Sequence, residues 1–542
     1  MRTGEPEPAK RLEWGVAAAA ALLILCFHFV FWLRAGALWR DEVNTLQMAT
    51  WPSVREICDA LQYDSFPLLS SLAFRPWAVS HWGETDFGLR AFGFIVGIAI
   101  LAALWLDARL KGISVPLLSL PLFALSPLVI RFGDSIRPYG LGMVFLLAAS
   151  GLIWRVSVKP GRLQIIGAAL SAVLAVQCLY QNSLLLLAIC IAGIVVCARS
   201  RQWKRALQVS AIGGVSALSL APYYEALRTA QDWGVVNQAP ISWQGIWRVL
   251  ASALAAAGGY MAWVWLGLCA LGLVAAGWCC ARRGSRPVSE SQADLVLFSG
   301  TILVIATVTF LLFLKWARLL SQPWYYLPLM AVWAVSIDAI LAALARRAAV
   351  RTFRVASAMV ILALSIPRGW SEIQVRQTNV DLVASRLAES VKAGDLIVVS
   401  PWYYGVAFQR YYRGQAPWTT VPPIEDLKIH RYDLLKEKMK SSDPIRTLLA
   451  RMSETLRSGN SLWLVGGWPA RPKGSLPEPL LPAPDRRSGW NNYAYISNWA
   501  AQAEHLVQVR ACQVKAIAIS SGARVNPYEN LVLQVARGGQ CQ

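Results

Sequence analysis

Charge is scarce in this chain. Asp, Glu, Lys and Arg make up only 15% of its 542 residues, while 56% are hydrophobic. A soluble protein of this length buries a core with far less apolar content, so a soluble enzyme with a single anchor is excluded. Histidine is scarcer still. His28, His81, His430 and His505 are scattered, and no HExxH, CxxC pair or other metal-ligand spacing occurs, so the sequence assigns no metal site. No Walker loop and no GxGxxG after a strand is present, which leaves no sign of an ATP cradle or a dinucleotide fold. The first apolar segment is long and no A-x-A-like site follows it, as expected of a retained helix rather than a cleaved leader. The net charge is +21, yet no concentrated basic face with interleaved aromatics appears, so nucleic acid is not an expected partner.

What the chain does have is a recurring apolar run of about seventeen residues or more, long enough to cross a hydrocarbon layer of about 30 Å. Eleven spans are expected: 14–33, 88–106, 113–130, 138–156, 163–180, 183–198, 205–222, 260–280, 294–314, 324–344 and 353–367. One set of loop ends then carries nineteen basic and five acidic residues, and the opposite set carries ten of each. The basic set is cytoplasmic by the positive-inside rule, so a multi-pass protein of a cell inner membrane is expected, with everything after residue 367 outside the cytoplasm. The stretch 66–82 is left outside the bilayer core, and its Phe66, Pro67, Arg75, Trp77 and Trp82 suit a helix resting on the outer leaflet in contact with membrane lipids.

Beyond residue 367 charges become frequent and apolar runs shorten. Residues 378–392 and 444–458 read as helices, and 395–400, 461–466, 513–520 and 530–537 as strands. Residues 368–542 are therefore expected to form an extracytoplasmic α/β domain on a membrane domain of residues 1–367, with the Pro-rich stretch 469–484 as a loop. Of the ten cysteines only Cys512 and Cys541 fall in this part, where an oxidising compartment would let them pair.

Polar groups on the expected outer face are few and selective. Trp39-Arg40-Asp41-Glu42 follows the first span, and an acidic pair at a membrane edge is costly to desolvate and usually serves a site. Asp64 precedes Phe66 and Pro67, Asp134, Arg137 and Tyr139 lie between the third and fourth spans, and Lys315, Arg318 and Tyr325 lead into the tenth. Each has a plainer reading: Asp41 and Glu42 as acids at a helix start, Asp134 with Arg137 as an interfacial ion pair, Lys315 and Arg318 as solvated charges, and Asp64 as a turn residue. Together, carboxylates beside Arg, Lys and Tyr at a lipid interface suit sugar transfer from a polyprenyl phosphate. The acceptor nucleophile needs a base, whereas the phosphate leaving group needs cations and hydrogen-bond donors.

Four segments carry a family resemblance. They are Leu38-Trp39-Arg40-Asp41-Glu42, Asp64-Ser65-Phe66-Pro67-Leu68, Gly83-Glu84 with Arg90, and Asp134-Ser135-Ile136-Arg137-Pro138-Tyr139. In that order, over roughly residues 10–345, the chain resembles the GT-C superfamily of membrane glycosyltransferases, in particular its protein mannosyltransferase and aminoarabinose transferase-like group. The resemblance implies a GT-C-type helical membrane protein with outer juxtamembrane helices. It further implies a polyprenyl-phosphate-linked sugar donor and a glycan, lipid or protein acceptor of the cell envelope. Asp41 would be the general base, with Glu42 and Asp134 also catalytic. Arg137, Lys315 and Arg318 would hold the donor phosphate, and Arg40, Asp64, Tyr139 and Tyr325 would touch substrate. Asp41 and Asp134 should then project into one shared cavity. The chain departs from the family at Tyr180-Gln181-Asn182 and at Gln322-Pro323-Trp324-Tyr325-Tyr326. These departures weaken any inference of a divalent metal, so no cofactor is assigned and a metal stays open. A transporter or flippase of a lipid-linked glycan, or an envelope polysaccharide polymerase or ligase, are the alternatives. A flippase would place ionisable groups near the midplane, which is nearly free of them here.

Overall fold

A computed structural model describes residues 7–281, 289–345, 347–468 and 477–538. The membrane part runs α1 (Glu7–Arg34), α2 (Arg40–Ala49), α3 (Val54–Ala60), α4 (Leu69–Ala78), α5 (Asp86–Leu110), α6 (Pro127–Gly133), α7 (Tyr139–Val158), α8 (Arg162–Cys178), α9 (Asn182–Arg199), α10 (Trp203–Leu218), α11 (Tyr224–Gly234), α12 (Trp243–Leu254), α13 (Gly259–Ala281), α14 (Glu290–Ala317), α15 (Leu327–Leu344) and α16 (Ala348–Ile373). Among the described residues nine helical segments are long and apolar enough to cross a membrane, and α8 is a shorter apolar helix. The protein is a polytopic helical membrane protein. The stretch 66–82 supplies only the ten residues of α4 and a short 3-10 turn, about 15 Å of helix, which cannot span.

The expected third span is where the sequence reading has to be corrected. Residues 113–130 do not form one helix. Pro116, Pro121 and Pro127 each lack an N–H, and the chain passes through a widened turn in which Leu125 N donates to Leu120 O before the short α6 begins. The segment still traverses the bundle. Gly140 of α7 packs on Val96 of α5 and Gly151 on Asp107, so α5 and α7 run parallel and the chain between them must return from one end to the other. Its freed backbone groups are met by Asp338 of α15, whose Oδ2 accepts from Leu118 N at 3.0 Å and Ser119 N at 3.1 Å. Irregular backbone at this depth is tolerated because it is enclosed by protein.

After α16 the chain continues as α17 (Val380–Ser390), β1 (Leu396–Ser400), α18 (Tyr404–Tyr411), β2 (Trp418–Thr420), α19 (Tyr432–Lys440), α20 (Arg446–Arg457), β3 (Ser461–Gly466), α21 (Asn492–Arg510), β4 (Gln513–Ile517) and β5 (Leu533–Arg537). The sheet order is β2-β1-β3-β5-β4, with β2, β1 and β3 parallel and β5 and β4 antiparallel. β1 is Leu-Ile-Val-Val-Ser and is buried throughout, as a parallel strand covered on both faces should be. Residues 469–476 of the Pro-rich stretch lie outside the described residues, as does Cys541, the expected partner of Cys512.

This C-terminal region sits on the end of the bundle where α1 finishes. Arg354 of α16 bonds Glu13 of α1, and Phe27 of α1 packs on Trp370 of α16, so the two helices run parallel and leave the bundle together. Gln377 N then donates to Ala35 O, and Leu38 N donates to Tyr411 Oη, so the loop before α2 is held from the C-terminal side.

Candidate active site

The loop 35–39 and the start of α2 are shaped by one arginine. Arg90 of α5 donates Nε to Gly36 O at 2.7 Å and Nη2 to Ala37 O at 2.6 Å, and its guanidinium meets Glu42 at 2.9 and 3.1 Å. Glu42 also accepts from Trp39 N and Ile136 N, both at 3.3 Å, and is wholly buried. Burial raises its carboxyl above the ordinary value, and Arg90 opposes the shift. Both oxygens are committed to this network, so Glu42 ties α2, α5 and the 136 turn together.

Asp41 precedes it and points elsewhere, since successive side chains diverge by about 100° around a helix. Its side chain is 23% exposed, recessed but reachable. Burial alone would raise its carboxyl. Arg137, then Arg40 and His430, override that and hold it below the usual carboxylate range. Arg137 donates Nη1 to Asp41 O at 3.1 Å and to Thr45 Oγ1 at 2.9 Å, and its guanidinium lies 4.4 Å over the Phe66 ring. Its buried Nε has no partner. Asp64 caps its own turn through Ser65 N at 2.7 Å, and burial raises its carboxyl despite Arg137. Tyr139 stacks on Tyr325 at 6.2 Å and meets Phe66 edge-on at 5.7 Å. Asp41, Asp64, Arg137, Tyr139 and Tyr325 therefore belong to one cluster, with Arg40 at its edge.

Three expected members stand apart. Asp134 was placed in a shared cavity with Asp41, but both of its oxygens meet His28 Nδ1, at 2.8 and 2.7 Å, in the packed region between α1 and α5. Gly97 makes room for this pair, because a Cβ there would lie 2.4 Å from Asp134 Oδ1 and 2.6 Å from His28 Nδ1. Lys315, in the last turn of α14, donates to Ile241 O and lies 6.0 Å from the Trp243 ring. Arg318 follows it in the left-handed conformation (φ 52°) on an exposed turn.

The sequence reading missed Glu529 and His430 of the C-terminal region. Arg40 Nη1 lies 2.7 Å from Glu529 Oε1, and its guanidinium sits 4.4 Å over Tyr403 and 5.4 Å over Tyr404. Burial pushes the Glu529 carboxyl up to about 8 although Arg40 opposes it. His430 N donates to Asn44 Oδ1 at 2.7 Å, and burial lowers its imidazole to about 4, so it is neutral at pH 7. Trp402-Tyr403-Tyr404 gave a visible aromatic signal, whereas Glu529 in Asn-Pro-Tyr-Glu gave none. Among the described residues no group of three or more His, Cys, Asp and Glu side chains is placed to hold a metal ion.

No family model and no curated protein matches the chain. Among solved structures, it is similar over 83% of its length to the Archaeoglobus fulgidus oligosaccharyltransferase complexed with zinc and sulfate, with TM-score 0.46 and 11% identity, covering 67% of that chain. It is similar over 83% of its length to ArnT from Cupriavidus metallidurans bound to undecaprenyl phosphate, with TM-score 0.46 and 12% identity, covering 93% of that chain. A third is AglB from A. fulgidus with an inhibitory peptide and a dolichol phosphate, with TM-score 0.47 and 10% identity over 83% of this chain and 69% of that one.

Proposed function

We propose that the protein is an integral-membrane glycosyltransferase that moves a sugar from a polyprenyl-phosphate donor to an acceptor outside the cytoplasm, a glycan, lipid or protein of the envelope. It would lie in the inner membrane, with residues 1–367 as the transferase domain and 368–542 facing outward. The observation that carries the reading is the Asp41–Arg137 pair. An ionised, reachable carboxylate adjoins a guanidinium that is bonded to neutral oxygens and keeps a buried donor free. Arg137 would hold the donor phosphate through its open donors. Asp41 would take the proton from the acceptor hydroxyl as the acceptor oxygen bonds to the anomeric carbon. The bond from that carbon to phosphate oxygen breaks, and polyprenyl phosphate leaves with the electron pair, its charge met by Arg137. Asp64, Tyr139 and Tyr325 would line the substrate.

Purified protein in vesicles, given a panel of radiolabelled polyprenyl-phosphate sugars and membrane extract as acceptor, tests this. Asp41→Asn should lower transfer about 10²–10⁴-fold. Undiminished transfer by the variant removes Asp41 as base. Label that crosses the bilayer without changing carrier supports a flippase instead.

A further inference from the structure

The turn that delivers Glu529 is built for position. Asn526 caps it by accepting from Tyr528 N at 3.2 Å, and Glu529 N donates to Asn526 O at 2.9 Å. Thr378 Oγ1 bonds Glu529 O at 3.2 Å, while Asn379 holds Leu531 through both N–H and C=O at 2.7 and 2.9 Å. Tyr404 Oη donates to Tyr528 O at 3.0 Å, and Tyr528 meets Trp324 edge-on at 5.8 Å. A turn fixed at this many points drives a carboxylate whose side chain is 1% exposed against Arg40, and leaves Oε2 without a partner. Arg40 thereby has two carboxylates to choose from: Glu529 at 2.7 Å and Asp41 at 3.5 Å from Nε.

We propose that Glu529 is a positioning residue for the transfer reaction: its carboxylate holds Arg40 against the Tyr403 ring and keeps the guanidinium from forking onto Asp41. The inference rests on the reading of Asp41 as base. A bidentate Arg40–Asp41 pair would stabilise the carboxylate, lower its basicity and block the face that must receive the acceptor proton. A competing anion on the far side of Arg40 prevents this, and it comes from the C-terminal region, which thus completes the site. The groups facing Glu529 are Arg40, Asp41 and Glu42 from the start of α2, and Tyr403 and Tyr404 from the turn into α18. Burial pushes the Glu529 carboxyl up to about 8, inside the interval from pH 7 to 9. The hold on Arg40 therefore strengthens over that interval, and the turnover number should rise with it.

The test uses the transfer assay on the full-length protein at pH 7 and pH 9. Wild-type kcat should rise about threefold, as expected for roughly one pKa unit in the strength of the base. Glu529→Gln, close in shape and fixed in charge, should stay at the lower level at both pH values with the donor KM unchanged. Adding Arg40→Lys to E529Q should restore kcat, since lysine keeps the positive charge but lacks the planar fork that would quench Asp41. Three results overturn the proposal: a pH rise that survives in E529Q, a double variant that falls below E529Q, or a donor KM that moves together with kcat. A merely structural role gives the second or third of these. Thermal unfolding checks that both variants are folded; if E529Q is not, Glu529→Met, similar in length and without charge, and its double with R40K are read against the same criteria. Wild-type protein that transfers no sugar from any donor fails the parent reading, and is distinct from transfer that depends on Asp41 but is indifferent to Glu529.

Discussion

The two ends of the helical bundle both bury charge, and they do so to opposite effect. At the end away from the C-terminal region, Glu13, Asp107, Lys111, Asp338 and Arg354 are each no more than 5% exposed. Every carboxylate there has a cation: Arg354 bridges Glu13 at 3.2 Å and Asp338 at 3.0 Å, and Lys111 meets Asp107 at 2.8 Å and Ser150 at 3.0 Å. At the other end Arg40 and Asp41 are about a fifth exposed, Arg137 bonds neutral oxygens, and Arg137 Nε, Glu529 Oε2 and His430 Nε2 are without partners. Orphaned atoms occur at both ends, since Arg354 Nε also lacks a hydrogen-bond partner; the difference is exposure, because wholly buried ion pairs hold helices together whereas reachable charge has capacity for a ligand. The same contrast recurs between neighbours in sequence, since Glu42 belongs to the first kind and Asp41 to the second.

Substitutions should separate the two kinds, and the largest effect falls on Glu42. Glu42→Ala leaves Arg90 buried and unpaired and removes the acceptor for Trp39 N and Ile136 N, so it should cost about 3–5 kcal/mol of stability. Thermal unfolding in detergent would show a large drop, and a drop no greater than that of Asp41→Ala would erase the distinction. Next comes Asp338. Asp338→Ala strands the N–H groups of Leu118 and Ser119 and one arm of Arg354, for about 2–4 kcal/mol. Asp338→Asn keeps one acceptor and should lose less. If D338A unfolds like wild type, the broken segment 113–130 does not depend on that carboxylate.

Most of the bundle was legible because hydrophobic run length reports a spanning helix directly. The segment 113–130 was not, because composition alone does not reveal that three prolines break the hydrogen-bond ladder of an otherwise apolar run. In the site, Asp41, Asp64, Arg137, Tyr139 and Tyr325 share short loops at one end of the bundle, so their sequence positions largely fixed their neighbourhood. Asp134 misled because a side chain in the turn between α6 and α7 can face either way, and its partner His28 sits inside a span where a lone histidine reads as packing. Glu529 was invisible for a topological reason: nearly five hundred residues separate it from Arg40, and no local pattern encodes a contact of that range.

The smallest stability effect is expected at Asp41 itself, and it has a pH signature. Its folded-state carboxyl titrates below the ordinary value, so its contribution is present above the unfolded value near 4 and is lost as pH falls through the lower folded one. Asp41→Asn deletes that contribution and leaves Arg40 and Arg137 facing each other with one fewer anion. Because the side chain is partly solvated, the loss should be about 1 kcal/mol or less. The difference in unfolding temperature between wild type and D41N should therefore be small, flat from pH 8 to pH 5, and vanish below pH 4. If the difference instead widens on acidification, the carboxyl is held above its ordinary value, burial outweighs the two arginines, and Asp41 resembles Glu42 after all.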